Sequence, residues 1–507
     1  MSTLKRIAIG STAAWAKIAV NIATQLLVIP MLLLTWDAST LGLWLAIQAL
    51  VPAFQILDIS FQNFLDGEFL QLPTNERDQF SKLLGSSIPV AILLSGFQFL
   101  FVLLAINTNF IAEISGASQV SSRAVFACNL YALLQSLIWV VFGGIGGIVV
   151  KMLVPFGYYA RMAWWGVAVS GTSFITAIFV CLMNGELIHA CIFQCFTNLL
   201  VVGGMSVDLF LIVRKENIAI SPSLSFLGLK NFYYSLAFVF QNFTDYFKQQ
   251  GTRLLIAPFQ GPAGVASFTT IRTGANIALQ GMGTITGPIL PELMRYLQQR
   301  DQARVESSFS TLWAVLVFVL LPGVIILQGV AEPLFLFWTK DKLTFDPPLF
   351  AVCSMTVMFF AMSTPAQAII RGNNILSVQI IASLCSCLSI LGLIAVLIRP
   401  LGIQGVAIAL LGGEIVSSVL YTRAASFWLI DRGLLWPWRT FIIVLASVLF
   451  SAAIIGAQAN QSSASPLFMM ISLLGLFGLQ VVYYLSLPKL MKERFSSFRF
   501  FRALRSR

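Results

Sequence analysis

Apolar runs of about 20 residues, the length that crosses a hydrocarbon core, recur along almost the whole chain. They fall near residues 7–34, 41–63, 83–106, 124–150, 162–183 and 188–213. After a polar break at 214–230 they resume near 231–257, 263–290, 309–330, 347–370, 375–398, 402–422, 440–457 and 467–487. The pattern predicts an all-α polytopic membrane protein of about fourteen transmembrane helices, six before the break and eight after it.

Composition agrees: 58% of the 507 residues are apolar and 10% charged, whereas about a quarter of a soluble domain is charged. Fourteen spans take about 280 residues, and what remains is too short for a soluble domain. Lys5 and Arg6 precede an apolar stretch that outruns a signal core and lacks a cleavage site, so it reads as an uncleaved first helix. Of the 31 lysines and arginines, 23 fall in segments that are cytoplasmic if the N-terminus is inside, four (Arg123, Lys340, Lys342, Arg399) in outer loops and four within spans. That asymmetry places both termini in the cytoplasm. Trp36 and Trp338 mark outer span ends and Trp164, Trp165, Trp428, Trp436 and Trp438 inner ones, as expected of indoles at the membrane interface. The tail from Lys489 to Arg507 interleaves Phe495, Phe498, Phe500 and Phe501 with Arg494, Arg499 and Arg502, a pattern suited to an anionic inner leaflet.

Several chemistries find no support. The seven cysteines (Cys128, Cys181, Cys191, Cys195, Cys353, Cys385, Cys387) lie in apolar segments, which speaks against disulfides and metal sites. The single histidine, His189, is expected in a short outer loop, and no Gly-Lys dipeptide exists to begin a phosphate-cradling loop. Transport without catalysis, cofactor or nucleic acid is therefore expected.

Polar groups at membrane depth are costly unless they face water or a partner, and here they concentrate in four spans. Lys17, Asn21, Thr24 and Gln25 fall within roughly one 100° sector of the first span. Gln48, Gln55, Asp58 and Gln62 fall within about 80° on the second. The seventh carries Gln241, Asn242, Asp245, Lys248, Gln249 and Thr252 within about 120°, with Arg253 beside them; the eighth carries Thr269, Arg272, Asn276 and Gln280 within about 80°. The bland alternative is that such groups only join helices. Lys17, Lys248, Arg253 and Arg272 outnumber Asp58 and Asp245, leaving a net charge of +2 that suits an anionic cargo, phosphate in particular. Glu414 in the twelfth span reads as a packing or ion-coupling carboxylate. A faint repeat, Gln25-Leu-Leu-Val-Ile-Pro30 against Arg253-Leu-Leu-Ile-Ala-Pro258, ends each polar-striped helix at a proline and hints at two related halves.

Leu26-Leu-Val-Ile-Pro30, Leu41-Gly-Leu-Trp44, Leu57-Asp58-Ile59, Gly261-Pro-Ala-Gly-Val-Ala-Ser-Phe268 followed by Arg272, Pro288 and Pro291, and Leu336-Phe-Trp-Thr339 resemble the polysaccharide flippases of the multidrug/oligosaccharidyl-lipid/polysaccharide exporter superfamily, which include O-antigen repeat-unit flippases. The second span departs from the family's usual Asp-hydrophobic-Gly, having Ser60 in the glycine position, so close packing there is expected to differ. The resemblance implies six-helix bundles at 1–213 and 231–424, joined by a cytoplasmic linker at 214–230. Helices 13 and 14 lie within 425–487, and a basic tail follows at 488–507. It also implies a central cavity lined by spans one, two, seven and eight, alternating access, and a polyprenyl-pyrophosphate-linked glycan as cargo in a bacterial inner membrane. Substrate-binding candidates are then Lys17, Asn21, Gln25, Gln55, Asp58, Gln241, Asp245, Lys248, Gln249, Arg253, Arg272 and Asn276. Partners would be membrane lipids, the lipid-linked substrate, and a glycan polymerase with its chain-length machinery. A lipid II flippase and a multidrug/cation antiporter are the alternatives on the same fold; a membrane glycan polymerase or ligase would need a larger outer loop.

Overall fold

A computed structural model describes residues 3–73, 75–286, 289–373, 375–460, 466–488 and 491–492. Pro288 and nearly all of the basic tail lie outside them, and the side chains of Lys5, Arg6, Gln280 and Pro291 are likewise not described. The described residues form helices and no strands, and among them the apolar runs become eleven helices long and apolar enough to cross a membrane, or twelve counting one bent pair. Two of these long helices are each broken once, at Gly261 (φ 69°) beside Pro262 and at Gly402 (φ 53°) after Pro400. A positive φ is strained for residues with a Cβ, and the prolines remove helix donors at the same places. Dividing both helices there yields the fourteen membrane-spanning legs expected from hydropathy.

Two compact units form. The first comprises residues 1–269 and 339–343. Its helices are α1 (Thr3–Thr35), α2 (Ala38–Phe54), α3 (Ile56–Gln71), α4 (Arg77–Asn107), the short α5 (Phe110–Ser115), α6 (Ser122–Ile138), α7 (Gly144–Met152), α8 (Tyr159–Met183), α9 (Leu187–Lys215), α10 (Phe226–Tyr246) and the start of α11 (Thr252–Thr286). α1 packs along α8, α3 along α10 and α7, and α6 along α9. Phe61, Phe69, Phe80 and Leu84 form the centre of one core. The second span is bent by 54° where α2 gives way to α3 at Gln55, just after Pro52. Three π-helical turns, Trp139–Gly143, Val154–Tyr158 and Phe247–Gly251, interrupt other spans of this unit.

The Leu41-Gly-Leu-Trp44 motif has a steric basis. A Cβ on Gly42 would sit 1.7 Å from the carbonyl oxygen of Pro262, so only glycine lets α2 reach the kink of α11. Leu41, Leu43 and Trp44 are buried beside it, and Trp44 meets Trp36 edge-on at 6.0 Å.

The second unit holds the rest of α11, α12 (Ile289–Gln298), α13 (Gln302–Val315), a π-helical turn at Leu316–Leu320, α14 (Leu321–Thr339), α15 (Pro347–Gly372), α16 (Leu376–Ile430), α17 (Trp438–Ala459) and α18 (Pro466–Ser486). Its core gathers Phe309, Trp313, Trp436 and Phe441, with Trp313 Nε1 donating to the Met362 carbonyl at 2.9 Å. α12 is a ten-residue amphipathic helix that buries Leu293 and Leu297 in this core. No span-length apolar run announces it.

Three expectations need correction. Pro30 does not end its helix, because α1 continues to Thr35. His189 lies in the first turn of α9, where its Nδ1 accepts from the Glu186 amide at 3.1 Å and completes a capping box. Trp36 and Trp436 are buried rather than interfacial; Trp36 Nε1 donates to the Gly185 carbonyl at 2.7 Å, so the indole fixes a loop.

Candidate functional site

The polar residues of the spans divide into those consumed by packing and those set on the candidate stripes. Asp58, at the third position of α3, is 2% exposed. Its Oδ2 accepts from Ser95 Oγ of α4 at 2.7 Å and from Trp139 Nε1 at 2.8 Å. The π-helical turn that begins at Trp139 carries Gly143 and then leads to Gly144, where a Cβ would come within 2.3 Å of Ser95 Oγ. That glycine leaves the room in which the serine reaches the carboxylate. Two charge-assisted hydrogen bonds supply about 1.5–3 kcal/mol each, comparable to the several kcal/mol that burying a carboxylate costs. Gln62, one turn further along α3, reaches the carbonyls of Gly143 and Gly144 at 3.3 Å. Gln55 sits at the bend, its amide bonded to the Pro52 carbonyl at 3.1 Å.

Ser60, which follows Leu57-Asp58-Ile59, is fully buried. Its hydroxyl donates to the Ile56 carbonyl at 2.6 Å and accepts from Asn242 of α10 at 2.9 Å. Tyr246 donates to the Ala49 carbonyl of α2. Two members of the α10 side of the unit are thus joints to the second span. The π-helical turn at Phe247–Gly251 contains Lys248 and Gln249, and its wider winding shifts every later residue around the axis relative to a straight α-helix. Gln241 and Asp245 therefore precede a change of phase, and Arg253 follows it. Asp245, Lys248 and Arg253 are half-buried and Gln249 is exposed.

On α1, Asn21 and Gln25 are half-buried and Lys17 is exposed, its Nζ 3.8 Å from where a Cβ on Gly166 of α8 would stand. Arg272 and Asn276 lie half-buried on the part of α11 that belongs to the second unit, next to Gly274, which faces the Phe350 ring. Glu414 is buried on α16.

Hydropathy and charge counting did not supply the partners at the helix ends. At one end of the first unit, Arg77 pairs with Glu216 at 3.1 Å, Tyr158 donates to the same carboxylate at 2.7 Å, and Lys151 pairs with Asp66 at 3.1 Å. There too Arg161 and Trp165 both donate to Asp208, the first through Nε at 2.9 Å and the second through Nε1 at 2.8 Å. The 216–225 segment is strapped to α4, with Ala219 N–H on Ser81 Oγ and Ser223 N–H on the Gly85 carbonyl. At the opposite end, Asp37, Arg123, Asn184, Glu186 and His189 share a cleft of about 880 Å³. Lys342 reaches the Trp36 carbonyl there at 3.1 Å.

Comparison of the coordinates with solved structures gives full-length likenesses at low identity. An inward-facing multidrug resistance MATE family transporter of the MOP superfamily superposes with a TM-score of 0.62 at 13% identity, covering 89% of this chain and all of that one. The lipid II flippase MurJ in an inward closed conformation gives 0.59 at 14%, covering 94% and 97%. The fold is that of the MOP-superfamily transporters. A eukaryotic MATE transporter of the same fold gives 0.53 at 14%, covering 90% and 99%. No family model matches the chain, and no curated protein matches it. At these identities the MOP fold is shared while the residues of a site are this chain's own.

Proposed function

We propose that the protein is a flippase that carries a polyprenyl-pyrophosphate-linked oligosaccharide, such as an O-antigen repeat unit, across a bacterial inner membrane by alternating access. The observation that carries this reading is the sign of the charge in the polar spans. Lys17, Lys248, Arg253 and Arg272 stand against Asp58 and Asp245, and Asp58 is already engaged by Ser95 and Trp139. Cations at membrane depth stabilise an anion there far more than they would in water. A MOP fold is compatible with a lipid-borne cargo, since a lipid II flippase has it.

In this reading Lys17 and Arg253, in the first unit, and Arg272, in the second, each engage the pyrophosphate during its passage. The amides of Asn21, Gln25, Gln55, Gln241, Gln249 and Asn276 meet sugar hydroxyls, and Asp245 beside Lys248 is a counter-ion or a proton site. The helix ends carrying Arg77, Lys151 and Arg161 face the cytoplasm, and a glycan polymerase takes the product on the other side. The MATE likeness favours a second reading, a multidrug/cation antiporter, for which a cationic cargo reverses the charge requirement.

Complementation of a flippase-null strain separates the two, with membrane abundance measured for every variant. Losing one hydrogen bond to a charged phosphate removes about 1.5–3 kcal/mol, or roughly tenfold or more in affinity. Arg253→Gln and Arg272→Gln should reduce surface glycan, the double Glu variant should abolish it, and Arg272→Lys should be milder because charge survives without the bidentate fork. Normal surface glycan from the double Glu variant would return these residues to helix packing.

A further inference from the structure

α12 and α13 meet at a corner of the second unit where two spans begin. One runs over Gln302–Thr339, and its 38 residues exceed the roughly 20 that cross a hydrocarbon core, which leaves turns to spare at its ends. The other opens at Trp438. Gln302 ties the two starts together through hydrogen bonds with the Leu435 backbone at 3.0 and 2.8 Å. Trp438 is 50% exposed, as suits an indole at the membrane interface, so the corner lies at headgroup level.

Between the two helices is a pocket of about 450 Å³. Glu292 and Tyr296 line it from α12, whose Leu293 and Leu297 turn into the core. Arg304, Ser307, Ser308 and Thr311 line it from α13, at the spacing that keeps side chains on one helix face. These side chains converge: the Arg304 guanidinium lies 5.6 Å from the centre of the Tyr296 ring, and the Tyr296 hydroxyl donates to Glu292 Oε2 at 3.3 Å. One tyrosine thus stands between a cation and an anion that form no pair with each other. Arg304 spends its Nε on Asp301 at 3.2 Å, which leaves the terminal nitrogens of a half-exposed side chain for a ligand. The Ser308 and Thr311 hydroxyls donate to the Arg304 and Ser307 carbonyls at 3.0 and 2.8 Å, whereas Ser307 Oγ has no hydrogen-bond partner among the described residues.

Such a pocket selects a ligand that carries both signs. Arg304 and Ser307 are donors suited to phosphate oxygens. Glu292 is an acceptor that would repel a phosphate standing alone, and a metal ion would meet one carboxylate and a guanidinium where hard cations take about six oxygens. A phosphodiester joined to a primary ammonium satisfies both ends, because its three N–H groups reach Glu292 and the Tyr296 oxygen while its phosphate accepts from Arg304 and Ser307. A quaternary ammonium has no N–H to give. At headgroup level the molecule with this chemistry is a phospholipid.

We infer that the groove between α12 and α13 binds the headgroup of phosphatidylethanolamine, with the phosphate on Arg304 and Ser307 and the ammonium on Glu292 and Tyr296. The inference holds for an anionic or a cationic cargo alike, because none of these residues belongs to the polar stripes.

The test is native mass spectrometry of the full chain in a maltoside detergent, titrated with dioctanoyl phosphatidylethanolamine, phosphatidylcholine or phosphatidylglycerol, or with soluble glycerophosphoethanolamine. The ethanolamine lipid should bind roughly three- to tenfold more tightly than either other lipid, the ratio expected from hydrogen bonds to one exposed charged group. Glu292→Gln should bring the ethanolamine and choline lipids to equal affinity, and Arg304→Gln should weaken both. Equal affinity of those two lipids for the wild-type chain would overturn the site, and so would tighter binding of the glycerol lipid. Retention of the ethanolamine preference in a folded Glu292→Gln protein would overturn the ammonium assignment. Soluble glycerophosphoethanolamine binding as tightly as the lipid would overturn a membrane lipid as the occupant.

Discussion

Replacing Gly42 by alanine tests the packing on which the first unit depends. The added Cβ would lie 1.7 Å from the Pro262 oxygen and 2.4 Å from its carbonyl carbon. Both are backbone atoms next to a kink, so no side chain can rotate away. α2 must retreat by more than 1 Å, and it carries Leu41, Leu43 and Trp44, all at most 2% exposed, with it. Overpacking of this kind costs about 1–3 kcal/mol when neighbours can shift and more when they cannot, so about 3 kcal/mol is the expected loss. For a unit of this size that corresponds to a midpoint lower by roughly 6–12 °C. Gly96→Ala is the matched control: no atom lies within 4 Å of its Cβ, and the helix-propensity gain of up to about 1 kcal/mol should hold or raise the midpoint. Fluorescence-detected size-exclusion chromatography after a heating series reads both. A Gly42→Ala protein as heat-stable as the wild type would refute the close approach of α2 to the kink.

Other outcomes follow from named contacts. Gly144→Ala should displace Ser95 from Asp58 and destabilise the chain about as much as Ser95→Ala, and the two combined should be less than additive in the same heating assay. Asp208→Asn leaves Arg161 and Trp165 on a neutral acceptor and should cost about 1–3 kcal/mol, read again as a lower midpoint. Burial works to raise the Asp37 carboxyl, but hydrogen bonds from Thr40 and Ser39 outweigh it and hold the group below its ordinary value of 3.8. Its support of α2 should accordingly be present above that value and lost as pH falls through the depressed one, a dependence that Asp37→Asn removes from stability measured across about pH 5 to 3. Reporter fusions at Arg77, Arg161 and Arg214 should report cytoplasm and fusions at Asp37, Glu186 and Lys340 the outside; a shared signal from Arg161 and Glu186 would contradict the proposed sidedness.

Much of the fold is legible because hydrophobic length and glycine-proline punctuation are local properties. Pro400 with Gly402 and Gly261 with Pro262 are visible as breaks in the sequence itself, and both helices break there. The bend at Gln55 and the π-helical turns are a different matter. Pro52 marks a kink but not its angle, and nothing in Phe247-Lys-Gln-Gln-Gly251 distinguishes it from ordinary helix, so a uniform 100° per residue carries Gln48 onto the face of Asp58 and Asp245 onto that of Arg253. The amphipathic α12 was hidden between two spans, since ten residues are too few for a hydropathy window. Candidate residues were legible as types and not as contacts. Asp58 and Gln62 look like cavity groups in the sequence, yet Ser95, Trp139 and the Gly143 and Gly144 carbonyls hold them, across sequence separations that no periodicity reports. Arg77 and Arg161 look like solvated topological charges, whereas each pairs with a carboxylate on or next to α9.

The proposed activity is tested most directly by reconstituting the purified chain into proteoliposomes with a fluorescent polyprenyl-pyrophosphate oligosaccharide in one leaflet and following its access to an impermeant quencher. Transfer should run well above protein-free vesicles with the wild-type chain and fall to their level with the Arg253→Glu, Arg272→Glu double variant incorporated at equal density. Transfer no faster than in protein-free vesicles with a folded wild-type chain, or undiminished transfer by the double variant, would contradict an anion-binding flippase.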